Sequence, residues 1–450
     1  MKIAKFGGTS MASAEQIKKA FEIVISDPAR KLVVVSAPGK RYDNDIKVTD
    51  LLIMCAEKCL KDGEAEDELN AVVSRYAEIA RDFKLSADIV QVIEADLRKR
   101  VSSDNTDRDK FMDLLKAAGE DNCAKLAAEC LRSMGVKAHY VNPGDAGLFL
   151  SDEFGNARVL PQSYNNLKAS LNMDGIMIFP GFFGYSATGD VVTFPRGGSD
   201  ITGSILAAAV DAEMYENFTD VDSVFSANPN IIPSPRPISI LTYREMRELS
   251  YAGFSVLHEE TLEPVYRKGI PVCIKNTNNP SAPGTMIVRE RENKNGPVVG
   301  IAGDKGFCSI YLSKYMMNRE IGFGRRMLQI LEDEGIAYEH IPSGIDNVSV
   351  VIRERQLDGE TEERVINRIK SELKVDDIFV VRKLAMVMTV GEGMKNTIGI
   401  AARAGAALAQ AGVNLEMINQ GSSEVSMMFG VKEEKANEAV KALYNEFFNK

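Results

Sequence analysis

Lys5-Phe6-Gly7-Gly8-Thr9-Ser10 stands where a short apolar strand, Met1 to Phe6, runs into a helix, and the rest of the chain is organised around it. The helix carries its own start signal. Ser13, with Gln16 three residues on, forms a capping box, and Ile17, Ala20, Phe21 and Val24 recur at helical spacing. A glycine pair between strand and helix lets backbone N–H groups come close to a ligand, at the positive end of a helix dipole. Lys5, at the carboxyl end of the strand, adds a mobile positive charge. The combination suits phosphate, although a glycine pair in that place is also an ordinary turn. It is not a Walker loop, because the lysine precedes the glycines, nor a dinucleotide fingerprint, because no third glycine opens the helix.

The surrounding chain extends this to an α/β domain. Lys31 to Ser36 is a β-branched run ending in Ala37-Pro38-Gly39, the pattern of a buried parallel strand, and Thr49-Asp50 starts an apolar helix. The stretch 62–108 is charge-rich and helical in pattern, which predicts a solvated insertion or lid without chemistry of its own. Gly119-Glu120-Asp121 precedes Cys123, Leu126, Ala127, Cys130 and Leu131 and reads as a helix start, where a carboxylate is favoured by the dipole alone. Further strands are predicted at Val136 to Val141 and Gly175 to Phe179, with a hairpin from Phe182 to Phe194. Pro195-Arg196-Gly197-Gly198-Ser199-Asp200 then places a second glycine pair at a helix N-terminus. Met214 to Phe218 is another strand, and Thr219-Asp220-Val221-Asp222 leaves its carboxyl end, the end at which open α/β sheets bind ligands. Ile270 to Lys275 is expected to close the domain as its last strand.

Composition bounds the possibilities. A chain of 450 residues predicts two or three domains. No apolar run reaches membrane-spanning length and no signal peptide precedes the first strand, so a cytoplasmic location without membrane association is expected. A net charge of −10 argues against nucleic-acid binding. Six scattered cysteines without a C-x-x-C read as reduced, buried thiols, and three histidines far apart give no metal-ligand spacing.

The C-terminal third carries an internal duplication. Ile321–Val350 and Ile398–Met427 align without a gap at an offset of 77 residues, identical at ten of thirty positions, among them Gly322/Gly399, Arg326/Arg403, Gly335/Gly412 and Glu339/Glu416. Each copy reads strand, glycine loop, helix, glycine cap, strand, turn, strand, helix, which is a ferredoxin-like unit. Such a pair could serve only as a dimerisation sheet.

Taken together these residues resemble the aspartate kinases: an amino-acid-kinase catalytic domain, a three-layer α/β/α sheet, followed by tandem ferredoxin-like (ACT) α+β regulatory domains. The opening hexapeptide, Thr49-Asp50-Leu51-Leu52, Gly119-Glu120, Arg196 to Asp200, Thr219 to Asp222 and Val256-Leu257-His258 carry the resemblance, in order and over essentially the whole chain. It implies a catalytic domain at 1–280, a linker with a short strand at 281–305, and ACT domains at 306–381 and 382–450. It implies ATP with Mg²⁺ as cofactor and L-aspartate as phosphoryl acceptor, with no dedicated protein metal site. Lys5, Gly7, Gly8, Ser10, Ser199, Thr219, Asp220 and Phe225 would bind ATP. Thr49, Glu120 and Arg196 would bind aspartate, Arg196 as a bidentate clamp on its α-carboxylate. Lys5, Arg196 and Asp200 would be catalytic.

The ACT pair implies a homodimer or higher oligomer and an amino-acid effector. Met317, Phe323, Gly324, Glu339, His340, Ser343 and Asp346 are the candidates for that site. The segments Met317 to Gly324 and Glu339 to Asp346 look like the lysine-sensitive branch, and Glu339 and Asp346 supply carboxylates for a cationic effector, L-lysine. The sequence departs from the family pattern at Phe225, Asn230 and Ser255, where tyrosine, arginine and lysine are usual, so the adenine end is expected to be held with two fewer cations. Acetylglutamate, glutamate-5, uridylate and carbamate kinases share the fold, but the ACT pair with Thr49, Glu120 and Arg196 favours aspartate. A non-catalytic amino-acid sensor is the alternative from another class. The chain is expected to carry no fused dehydrogenase.

Overall fold

The computed structural model describes residues 1–195, 197–254, 256–292, 296–421 and 425–449, with Glu259 lacking a described side chain. Arg196 and Ser255 therefore lie outside the described residues. The chain divides into two compact units. One comprises Met1–Val224, Pro237–Arg247 and Ser255–Arg291, and the other Phe225–Arg236, Glu248–Phe254 and Glu292–Lys450.

In chain order the elements up to residue 288 are β1 (Lys2–Phe6), α1 (Ala14–Ile25), β2 (Arg30–Val35), α2 (Val48–Asp62), α3 (Glu66–Asp82), α4 (Asp88–Val101), α5 (Arg108–Ser133), β3 (Ala138–Tyr140), α6 (Gln162–Ser170), β4 (Ile176–Pro180), β5 (Phe183–Tyr185), β6 (Val191–Thr193), α7 (Gly198–Ala209) and β7 (Met214–Thr219). Then follow β8 (Val224–Phe225), β9 (Pro237–Ile238), β10 (Ile240–Thr242), α8 (Tyr243–Tyr251), α9 (Glu263–Lys268), β11 (Val272–Asn276) and β12 (Thr285–Val288).

Eight of these strands form one sheet in the order β10-β12-β11-β7-β1-β2-β4-β3. The strands from β11 to β3 are parallel, and β12 returns antiparallel on β11. The parallel strands are apolar almost throughout, as burial on both faces demands: Leu32 to Val35 and Ile3 to Phe6 are buried without a break. From β1 the chain runs outward to β2 and β4 on one side, and β7 and β11 are laid down on the other. That reversal opens a crevice outside the carboxyl ends of β1, β2 and β7.

Three expectations are corrected. Val272–Asn276 is not the last strand, because Thr285–Val288 and Ile240–Thr242 extend the same sheet, so the strand expected in a linker at 281–305 belongs to the catalytic sheet. Gly119-Glu120 does not start a helix but lies in the middle of the 26-residue α5. A glycine there reads as a break in sequence, yet it is a packing device: a Cβ on Gly119 would stand 2.8 Å from the Ala37 Cβ and 3.3 Å from a Leu52 methyl. Finally, the charge-rich segment 62–108 is not merely solvated, since Leu69, Val72, Tyr76 and Ile79 of α3 and Ile93 and Leu97 of α4 are buried in the main core.

The second unit contains β13 (Gly300–Ser313), α10 (Phe323–Asp333), β14 (Tyr338–His340), β15 (Asn347–Arg353), α11 (Gly359–Arg368), β16 (Asp377–Val390), α12 (Ile400–Gln410), β17 (Met417–Asn419), β18 (Ser426–Lys432) and α13 (Ala436–Phe448). Its antiparallel sheet runs β14-β15-β13-β16-β18-β17. The two copies are not consecutive blocks. Phe307–Ser313 of β13 pairs with β15, and Leu384–Val390 of β16 pairs with β18, while β13 and β16 pair along most of their length. A boundary at 381/382 thus falls inside one strand. Each copy keeps its own core, around Phe323, Leu331 and Leu373 in the first and around Ile400, Leu408 and Leu443 in the second.

Candidate active site

Lys5 sits in the central strand, 7% exposed, with its Nζ 2.5 Å from Oδ1 of Asp200. The same oxygen accepts a hydrogen bond from Asn217 Nδ2 at 2.8 Å. Asn217 lies beside Lys5 in register on β7. The Lys5 side chain folds over the first glycine: a Cβ on Gly7 would be 3.5 Å from Nζ. Beyond Gly7 the chain makes a 3₁₀ turn, Gly8–Met11, before α1 starts at Ala14 under its Ser13 cap. The first glycine pair therefore opens this turn and not α1 itself. Gly8 serves close approach of two loops, because its carbonyl accepts the Gly39 N–H at 2.8 Å and a side chain at Gly39 would lie 2.5 Å from the Gly8 carbonyl carbon.

The second glycine pair does sit on a helix N-terminus. Gly197 adopts φ of 79° as the N-cap of α7, and the Asp200 N–H returns to its carbonyl at 2.9 Å. A Cβ on Gly198 would stand 2.6 Å from the Phe182 ring, and Ser199 packs equally tightly on Gly181. Asp200 lies in the first turn of this twelve-residue helix, where the helix dipole favours its negative charge. Imidazole Nδ1 of His258, whose Cβ lies against Gly197, is buried without a hydrogen-bond partner.

Glu120, 5% exposed on α5, lies close enough to Lys5 to feel its charge. Its Oε2 is buried with no partner. Burial pushes its carboxyl up to about 7, against the pull of the backbone N–H groups of Ala37 and of Glu120 itself and the charge of Lys5. Thr49 is half-buried in the first turn of α2, which is tied to the 37–47 loop by the Val48 N–H to the Pro38 carbonyl at 3.0 Å.

At the end of β7, Thr219 is half-buried and Asp220 exposed, their side chains 3.2 Å apart. The Thr277 N–H donates to the Thr219 carbonyl, and the Thr277 hydroxyl meets that of Ser10 at 2.7 Å. Asn276 Nδ2 donates to Asp222 at 2.7 Å. Lys5, Gly7, Gly8, Ser10, Ser199, Asp200, Thr219, Asp220, Thr49 and Glu120 thus all belong to the first unit. Phe225 belongs to the second unit, half-buried, and Arg196 lies outside the described residues. The sequence reading missed Asn217 and Thr277. Asn217 was legible as a polar residue inside an otherwise apolar strand, whereas nothing marked Thr277.

The expected effector residues divide. Asp346 Oδ1 accepts the Met316 N–H at 2.8 Å, closing the loop on which Ser343 is exposed, and Gly324 is exposed on α10. Met317 and Phe323 are core residues, 8% and 5% exposed. Glu339 is not a free carboxylate: it accepts the Tyr251 hydroxyl and pairs with Arg353 Nε at 3.2 Å. His340 Nε2 lies 3.3 Å from that hydroxyl and Nδ1 3.4 Å from Asn419 Nδ2, and burial lowers its basicity.

Residues 1–276 match the amino acid kinase family and residues 387–447 an ACT domain. The chain is 60% identical to aspartokinase 3 of Bacillus subtilis (strain 168) over 448 residues, covering 100% of this chain and 99% of that one. The chain belongs to the aspartokinase family. As an aspartokinase it transfers a phosphoryl group from ATP to the side-chain carboxylate of aspartate, under ACT-domain regulation. The crystal structure of Clostridium acetobutylicum aspartate kinase superposes with a TM-score of 0.87 at 40% identity, covering 99% of this chain and 100% of that one. E. coli aspartokinase III in complex with aspartate and ADP, its R-state, gives 0.83 at 25% identity, covering 100% of both chains.

A pH dependence follows from Glu120. Its pKa in the folded protein lies above the ordinary value of 4.5, so the folded state binds the extra proton and gains stability at low pH. That contribution is complete below about 4.5 and is lost as pH rises toward 7. In the ligand-free aspartokinase, the stability difference between wild type and Glu120→Gln is expected to shift by about 1–3 kcal/mol against the wild type between pH 4.5 and 7.5. Urea melts at the two pH values check it, and a pH-independent difference contradicts it.

Proposed function

We propose that Glu120 binds the α-ammonium of L-aspartate and that Lys5 bridges the incoming β-carboxylate and the γ-phosphate of ATP. The observation that carries this reading is the unpartnered, buried Oε2 of Glu120 on the acceptor side of Lys5. A buried carboxylate oxygen left unpaired is costly unless a ligand completes it, and an ammonium is the natural complement. Thr49 and Arg196 complete the acceptor side, Arg196 on the α-carboxylate. Gly7, Gly8 and Ser10, with Gly197, Gly198 and Ser199 across from them, hold the β- and γ-phosphates through backbone N–H groups and hydroxyls. Thr219 and Asp220 line the nucleotide side.

The acceptor, with a carboxyl pKa of about 4, is already deprotonated at neutral pH and needs no general base. One carboxylate oxygen attacks the γ-phosphorus as the bond to the bridging oxygen of ADP breaks. The protein's task is alignment and charge neutralisation. Lys5 leaves Asp200 for the phosphoryl group as charge builds on it, and Asn217 keeps Asp200 in place.

Mg²⁺ fits as an ion brought by ATP. No cluster of three or more His, Cys, Asp or Glu that could cage a metal occurs among the described residues, while Asp220, just past the end of β7, is exposed. Such an ion would neutralise phosphate charge, with Asp220 or Asp222 touching it directly or through water.

We infer further that L-lysine is the effector, bound at the first ACT copy around Ser343, Gly324 and Asp346. Support comes from E. coli aspartokinase III, whose structure in complex with lysine and aspartate is its T-state and matches with a TM-score of 0.75 at 25% identity. Fully exposed Ile321 and Ile398, at equivalent repeat positions, support association of copies through the same region. L-lysine is expected to inhibit aspartate-dependent ADP release at or below millimolar concentration. No response to lysine, with inhibition by threonine instead, overturns this assignment.

A further inference from the structure

Arg75 and Tyr76 are consecutive residues of α3, inside the charge-rich stretch 62–108. An arginine on an amphipathic helix ordinarily faces water. Arg75 is 5% exposed, and its guanidinium spans one loop from end to end. Nη2 donates to the Gly39 carbonyl at 2.7 Å, and Nη1 to the Ile46 carbonyl at 2.9 Å, with Asp45 Oδ2 3.1 Å away. Asp45 is held in turn by Arg41, through its N–H at 2.9 Å and its guanidinium at 2.8 and 2.9 Å. Residues 38–47 carry no helix or strand, so without these bonds their backbone would be costly to order and the Gly39 carbonyl, in a buried residue, would lose its arginine donor.

The adjacent side chain grips the opposite wall. Tyr76 is fully buried and its hydroxyl donates to the Gly119 carbonyl at 2.7 Å, one residue before Glu120. The two anchored segments meet between these grips. A Cβ on Gly119 would strike Ala37, and the Ala37 N–H acts on the Glu120 carboxylate. Past Ala37, the Gly39 N–H donates to Gly8. One helical turn of α3 thereby fixes both pieces of backbone that set the position of Glu120.

We propose that Arg75 is a positioning residue for the phosphoacceptor, with Tyr76 as its companion, and that the α3 segment is a support for the acceptor pocket. The proposal rests on the assignment of Glu120 to aspartate given above. Arg75 acts through the loop and touches no substrate. The braced loop also touches Gly8 of the phosphate loop, but the phosphate loop has a second tie, from the Gly7 N–H to the Phe218 carbonyl at 3.2 Å, so the effect falls on aspartate more than on ATP. A lysine cannot replace the fork, because one ammonium cannot reach two carbonyls and a carboxylate in the same plane.

The test is steady-state kinetics of the full chain with each substrate varied, for Arg75→Met, Arg75→Lys, Tyr76→Phe and Glu120→Gln. Arg75→Met is expected to raise KM for aspartate about tenfold or more while KM for ATP stays within about twofold, the loss that a loop shifted by less than 1 Å produces. Arg75→Lys recovers only part of it, and Tyr76→Phe raises KM for aspartate about threefold. The proposal is overturned if folded Arg75→Met keeps KM for aspartate within about twofold, or raises both KM values equally, as a general loss of stability would. Should Arg75→Met not fold, Tyr76→Phe decides: an unchanged KM for aspartate refutes the proposal. If Glu120→Gln itself leaves KM for aspartate unchanged, the acceptor assignment fails. If Glu120→Gln raises it and the α3 variants do not, only the present proposal falls.

Discussion

Replacing Lys5 by alanine is expected to lower kcat by about 10²–10³-fold, the usual cost of removing one preorganised donor to a transferring group. The argument is geometric. Lys5 is the cation at the carboxyl end of the central strand, its Nζ lies over Gly7, and its partner Asp200 opens the helix behind the second glycine loop. On the proposed assignment, that pairing stores the ammonium where charge will develop. Removing it leaves Asp200 with Asn217 as its side-chain partner, so a loss of about 1–3 kcal/mol in stability is also expected. A cooperative melt at a somewhat lower temperature, together with lost turnover, is the anticipated result. Aspartate-dependent ADP release at saturating substrate measures it, and near-normal kcat in the variant rules out the assigned role.

Glu120→Gln carries the second large effect, on binding. The carboxylate is buried, one oxygen has no partner, and glutamine keeps the shape while losing the charge. Truncating one member of a buried, charge-assisted pair costs about 2–5 kcal/mol, which corresponds to a KM for aspartate raised at least about 30-fold. KM for ATP should hold within about twofold. The sign on stability is opposite to that of Lys5→Ala: without ligand, an unpaired buried carboxylate above its raised pKa is a burden, so Glu120→Gln should be more stable near pH 8.

Much of this was legible in the sequence because the physics is local. The β-branched run at Lys31 to Val35, the capped helix after Ser13 and the two glycine pairs each announce themselves within a few residues, and all lie where the reading placed them except the first glycine pair, which opens a 3₁₀ turn ahead of α1. The repeat was equally plain, since a duplicated core forces its apolar spacing to recur. What escaped depends on partners distant in the chain. Gly119 looks like a break until Ala37 is seen packed on it. Arg75 looks like one more charge on a solvated helix until the Gly39 and Ile46 carbonyls are found beneath it. Asn217 and Glu216 are two polar residues in a buried strand, a signal that partners exist, but only the fold identifies them as Asp200 and Arg30. The crossing of β13 and β16 between the ACT copies is invisible to an alignment of loops and helices, because a strand that continues and one that ends have the same alternation.

The central claim divides the site in two: Lys5 serves the moving phosphoryl group and Glu120 the bound acceptor. The most direct measurement varies L-aspartate at saturating ATP for wild type, Lys5→Ala and Glu120→Gln side by side and compares how the loss partitions between kcat and KM. The account predicts that Lys5→Ala loses mainly kcat and Glu120→Gln mainly KM for aspartate. Losses falling on the same constant in both variants, or on neither, would contradict it.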